Sequence, residues 1–141
     1  MVRKPLVVCA YAGAPPKGDE SRKIDGGPLY VLDKLRGSLS QGRIRPWTKK
    51  CVTDLQNLGF DLDDAAALVL HALLEGRFLG AEWCQQEPAG PWAACDSYIV
   101  SRAEWIEAAC KEMPVEYFVK FALAVSGTVV ILISCHLPKT R

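Results

Sequence analysis

Residues 117–137, "YFVKFALAVSGTVVILISCHL", hold one cation inside an otherwise apolar run. An ammonium buried without a partner is too costly to keep, so the Lys120 charge must reach solvent, pair with a carboxylate or face an anion. In the first case Lys120 is an ordinary solvated side chain on an exposed sheet face, which also guards against aggregation. In the last it does chemistry, contacting phosphate or stabilising charge that develops in a cleft. Strand alternation sets the face. Tyr117, Val119, Phe121, Leu123 and Val125 form one uniformly large face, suited to meet helices, while Phe118, Lys120, Ala122 and Ala124 form the other. Lys120 is therefore expected on the open side, beside small residues that leave it room.

The other reactive side chains carry weaker signals. His136 lies on the second strand of the same hairpin, and its face depends on the turn. A two-residue turn puts it opposite Lys120's face, whereas a three-residue loop brings both together, and the sequence leaves this open. His71, in the middle of an apolar helix, reads as a satisfied core histidine. Arg77 borders the sheet, where a rim charge is the plain reading. Trp83, Trp92 and Trp105, with Tyr98, fall where aromatics serve core or interface more often than base stacking. There is no phosphate loop, dinucleotide fingerprint or nucleophile motif. The six cysteines are scattered, with no Cys-x-x-Cys and no nearby His pair, so neither a zinc site nor any other cofactor is indicated. Reduced thiols in a cytoplasmic protein are the expectation.

The elements that must position these residues can be read in order. Residues 13–27, "GAPPKGDESRKIDGG", lack periodicity, so 1–27 is expected to be a segment and linker, either an edge strand or a mobile arm. The first sixteen residues also sketch a short signal peptide. From 28 onward a single domain begins. Leu29, Leu32, Leu35 and Leu39 have helical spacing ending near Gly42. Thr48 caps a second helix stopped by Gly59, and Asp61 caps a third with Asp64 in its first turn. That third helix, "DDAAALVLHALLEG", is apolar nearly all round and is expected to be central. "RFLGAEWCQQ" and "AACDSYIVS" read as strands around a turn at 87–91, "RAEWIEAACKEM" as a short helix closed by Pro114, and 117–137 as a hairpin turning at Ser126-Gly127-Thr128. Helices first and strands after imply an α+β domain, with the N-terminal helices packed on one face of a mostly antiparallel sheet.

Composition sets the outer limits. A chain of 141 residues can bury a core unaided, and a net charge of +1 argues against bulk polyanion binding. Arg36, Arg43, Arg45, Lys49 and Lys50 nevertheless cluster, leaving a local anion-attracting face open. No apolar run reaches the ~20 residues needed to span a bilayer, so no membrane partner is expected.

The order of several short stretches resembles one family. "LDKLRGSLSQGRIRPWTKKCVTDLQNLGFDLDDAAALVLHAL", then "RF", "PWAACDSY" and "YFVKFAL", then a last apolar strand, is similar to the MqsR (motility quorum-sensing regulator) toxins. The resemblance spans residues 29–137. It implies a RelE-like fold, a metal-independent endoribonuclease that cleaves mRNA and inhibits growth, and an antitoxin protein as partner. Such enzymes activate the RNA 2′-hydroxyl, stabilise phosphorane-like charge with Lys or Arg, and protonate the leaving oxygen. Carried over, Lys120 supplies the charge, Tyr98, Tyr117, His136 and Glu82 are candidates for base and acid, and Arg77, Trp92 and Lys139 for RNA binding. The departures are specific. Leu79 and Gly80 follow Phe78 where the family has a Lys, Ala93 stands for a Gln, and Phe118 for a Tyr. A relative that kept the fold as a non-catalytic binding module for protein or nucleic acid is the alternative.

Overall fold

A computed structural model describes residues 5–138 as an α+β domain with three helices and a six-stranded sheet. In chain order the elements are β1 (Lys23–Ile24), α1 (Leu32–Ser40), β2 (Ile44–Pro46), α2 (Lys49–Leu58), α3 (Leu62–Glu75), β3 (Arg77–Gln85), β4 (Trp92–Ile106), β5 (Lys111–Leu123) and β6 (Val130–His136). The strand order is β1-β3-β4-β5-β6-β2, with β2 alone running parallel to its neighbour.

The helix signals in the sequence act locally and hold. The Thr48 hydroxyl accepts from Cys51 N–H at 3.1 Å, and Gly59 ends α2 at a left-handed φ of 71°. Asp61 and Asp64 form a reciprocal capping box, each carboxylate accepting from the other's backbone N–H. Helix α3 is less central than its composition suggests. Ala65, Ala66, Leu68, Val69 and Ala72 are buried, whereas Leu62 and Leu74 are exposed. Helix α3 lies over β4 and β2 while α2 lies over β6. Together they close one face of the sheet, on which Tyr117, Val119 and Phe121 are buried. Val125, expected on that face, sits beyond β5 in the turn and is exposed.

The helix expected over 102–113 is instead a strand ribbon. Strands β4 and β5 stay paired out to Ile106↔Lys111, joined by a short 3-10 turn at Glu107–Ala109, and Pro114 sits opposite Ala103. Ala, Glu and Met favour a helix locally, but pairing gives this stretch a continuous ladder with the strand that follows. The side chains agree. Arg102 Nε donates to Glu104 at 2.5 Å, an i,i+2 contact that strand geometry allows and helix geometry does not.

Two long-range features shape the sheet. Beyond the pair Asp96↔Phe121, β4 and β5 part and residues 6–10 enter between them. Val8 N–H donates to Trp92 O at 3.0 Å on one side, and Val125 N–H donates to Val8 O at 2.8 Å on the other. The sheet is also strongly curled. Gln86 Nε2 donates to Trp47 O at 2.7 Å, although these residues continue β3 and β2, which are separated by three strands. In a flat sheet four strand spacings would hold them about 19 Å apart, well beyond a glutamine's reach. The curl shelters Ala93, Cys95, Ala122 and Ile131, which are buried although they alternate away from the helices.

Candidate functional site

The pairing registers lay out the helix-free face in rows. Arg77, Ile99, Phe118 and His136 form one row across β3, β4, β5 and β6, and Gly80, Ser97, Lys120 and Ser134 form the next. Glu82 and Cys95 begin a third. Lys120, His136 and Arg77 thus share one face. Tyr98 and Tyr117 are on the other: Tyr98 pairs with Val119 and stacks on Phe121 (5.8 Å between centroids), and Tyr117 packs on Phe60. Trp92 alternates to that side too, at the far end of β4, with the Arg22 guanidinium 4.9 Å over its ring. Lys139 lies outside the described residues.

His136 reaches Lys120's face through one extra residue. The pair Phe121↔Leu132 followed by Lys120↔Ser134 makes Ile133 a bulge. Without it the register would continue to Tyr117↔His136, on the helix side. With it His136 pairs with Phe118, and the two rings stack at 5.0 Å. Its Nδ1 lies 2.7 Å from Leu137 O. A carbonyl only accepts, so Nδ1 carries the proton and Nε2 is the basic nitrogen.

The Lys120 charge goes to Glu82. Nζ donates to Glu82 Oε1 at 2.5 Å, with the lysine side chain 17% exposed and the glutamate 41%. Because Glu82 is opposite Cys95 and not Ser97, the lysine stem leans along the face, over the fully buried Cys95. Burial alone would lower the Lys120 pKa. The Cys84 sulfur, the Glu82 hydrogen bond and charge, and Cys95 outweigh it, so the value is raised and the ammonium persists. The tyrosines differ. Burial, then the Asp96 charge, pushes Tyr98 up to about 12, and burial followed by Glu104 raises Tyr117.

Sequence reasoning named Glu82 only as a candidate acid or base; its pairing with Lys120 joins residues 38 positions apart and left no local signal. It also passed over Cys84, on the same face of β3 as Glu82. His71 is satisfied but is not a core residue: it is half-buried, and its Nε2 lies 3.1 Å from Ser101 O at the free edge of β4. Among the described residues no group of three or more His, Cys, Asp or Glu side chains is placed to hold a metal ion. No helix among them is long and apolar enough to cross a membrane.

Two depressions are lined by Lys120's strand partners. A shallow one of about 250 Å³ is lined by Lys23, Gly80, Glu82, Ser97 and Phe118. A larger cleft of about 640 Å³ runs from Ser134, Lys120's cross-strand partner, to Trp47, Lys49 and Lys50 at the start of α2, with Gln86 and Glu87 opposite. The chain matches no model of a known protein family, no curated protein and no solved structure.

Proposed function

We propose that the open face is the catalytic surface of an endoribonuclease that cuts mRNA without a metal ion, the activity implied by the resemblance to MqsR toxins. The observation that carries this reading is the convergence of Lys120, His136 and Phe118 on the helix-free side, on strands β5 and β6. Lys120 Nζ is 5.9 Å from the Phe118 centroid, and the His136 ring stacks on the same Phe118. A nucleotide laid against the Phe118–His136 stack has the Lys120 cation and the basic His136 Nε2 beside it. His136 Nε2 takes the 2′-hydroxyl proton, the 2′-oxygen attacks phosphorus, and the P–O5′ bond breaks, the 5′-oxygen taking a proton from water as it leaves and a 2′,3′-cyclic phosphate remaining. Lys120 exchanges Glu82 for the phosphate oxygens as their charge grows. Lys49 and Lys50 in the adjoining cleft supply contacts for the flanking phosphates.

A second reading has its own observation. Lys120 is already neutralised by Glu82, and Tyr98 and Tyr117 face away, which suits a surface that holds nucleic acid or protein without cutting it. Purified protein incubated with varied RNAs in a chelator separates the two. Cleavage to 2′,3′-cyclic phosphate ends, reduced on the order of 10² to 10³ in Lys120→Ala, supports the ribonuclease. RNAs left intact at high protein concentration support the binding surface. In cytoplasmic expression the ribonuclease slows growth, and an antitoxin encoded beside it restores growth through a stable complex.

A further inference from the structure

We infer that Glu82 is a two-position latch, which holds Lys120 in the resting protein and turns to Lys23 on the neighbouring strand when a phosphate takes Lys120. The inference deepens the ribonuclease reading and rests on its placing a substrate phosphate at Lys120.

The pairing registers set the two positions. Lys23 of β1 is paired directly with Glu82 of β3, and Glu82 in turn with Cys95 of β4. Directly paired residues share a face, so Lys23 stands on the open side with Glu82. By backbone, Lys23 is one strand spacing from Glu82 and Lys120 is two, about 4.8 Å against about 9.6 Å. The carboxylate nevertheless goes to Lys120, across Cys95. Lys23 is exposed and has no ion-pair partner among the described residues. Glu82 thus lies between two cations and is bonded to one.

The turn needs little movement. Lys23, Glu82, Ser97 and Phe118 line one depression of about 250 Å³, and Gly80 adds no side chain to obstruct it. The glutamate side chain is 41% exposed, and rotamers of exposed side chains exchange in picoseconds to nanoseconds without backbone motion.

Electrostatics supply the reason to turn. A phosphate oxygen that displaces Glu82 from Lys120 Nζ leaves two anions side by side, and they repel. A carboxylate with nowhere else to go opposes the incoming charge. Lys23 draws it to the far side of β3 and leaves Lys120 to the phosphate. Lys23 is therefore a positioning residue, acting through Glu82. It also gives work to a stretch whose composition reads as linker. Strand β1 is two residues long, and Trp83 N–H donates to Arg22 O at 2.8 Å beside it.

The test reads binding apart from cleavage. A 2′-fluoro RNA oligonucleotide lacks the attacking hydroxyl and reports affinity by fluorescence anisotropy. Lys23→Met should weaken binding about fivefold in the otherwise wild-type protein and less than about 1.5-fold in Glu82→Gln, where no displaced charge needs a partner. An equal loss in both backgrounds means that Lys23 touches RNA directly, and overturns the latch alone. Absence of binding, or an affinity unchanged by Lys120→Met, overturns the ribonuclease reading and the latch with it. A second measurement needs no RNA. In Lys120→Met the carboxylate should already sit on Lys23, so the Lys23 ammonium should give a slowly exchanging side-chain nitrogen signal by NMR, lost when Glu82→Gln is added. No such signal in protein shown to be folded by circular dichroism overturns the latch.

Discussion

Strands β4 and β5 present two faces built from the same residues in alternation, and the two differ in what their polar groups are free to do. Toward the helices, Tyr98 stacks on Phe121, which is wholly buried, and Asp96 accepts from Leu29 and Tyr30 N–H at 3.0 and 3.1 Å. The Asp96 carboxylate is thereby committed to holding the fold. One residue along each strand, Ser97, Lys120 and Phe118 point the other way, and the Lys120 ammonium has a single carboxylate partner that is itself partly in water. The lesson is one of commitment: a group fixed from several sides stabilises, while a group held by one exchangeable partner remains available to a ligand.

The largest test of this contrast is structural. Phe121→Ala should remove about 3–5 kcal/mol, the cost of deleting a buried aromatic. Phe118→Ala, on a half-buried ring, should cost a third of that or less. Equal losses in denaturant unfolding would mean the two faces are equally packed. The chemical counterpart rests on the proposed ribonuclease: there Tyr98→Phe should leave RNA cleavage within about twofold of wild type while Lys120→Ala loses the 10² to 10³ given above. A matching loss in Tyr98→Phe would place its hydroxyl on the working face.

Asp96 sharpens the comparison through pH. Burial raises its pKa from 3.8, against the lowering effect of the Leu29 and Tyr30 N–H groups. The unfolded chain therefore releases this proton first, and just above 3.8 the folded state binds more protons than the unfolded. The contribution is complete below 3.8 and declines as pH rises toward the folded value. Melting curves across that window should show wild type losing stability relative to Asp96→Asn; the reverse slope would mean the N–H bonds outweigh burial. The smallest effect is expected at the open pair. Glu82→Gln should change stability by about 1 kcal/mol, because the glutamate, 41% exposed, is screened by solvent and a glutamine oxygen still accepts from Lys120.

What could be read in the sequence was local. Thr48, Gly59, Asp61 and Asp64 act within one turn, so their roles followed from spacing. The faces of Phe118 to Phe121 followed from alternation, which needs no partner. The face of His136 could not be read, because it turns on a bulge at Ile133 that exists only once β5 and β6 are paired. The ribbon at 102–113 was mistaken for a helix because local propensity lost to pairing with residues that follow the turn. The Lys120–Glu82 bond and the Gln86–Trp47 closure join distant positions and depend on the sheet's order and curl. The candidate site was therefore half visible, its lysine clear and its partners hidden.

The placement of residues 6–10 between β4 and β5 bears on how the chain is made. Leu6 to Ala10 are made well before their backbone partners, Trp92, Leu123 and Val125. At a synthesis rate of about 5–20 residues per second, this apolar strip waits roughly 6–24 seconds before its last partner exists. Throughout that interval at least one of its edges is unpaired, which makes it a fit substrate for holding chaperones and a poor place for an added hydrophobic tag. The sheet closes only once residues through Val125 are present, so a chain truncated before Leu123 lacks the pairing that locks residues 6–10.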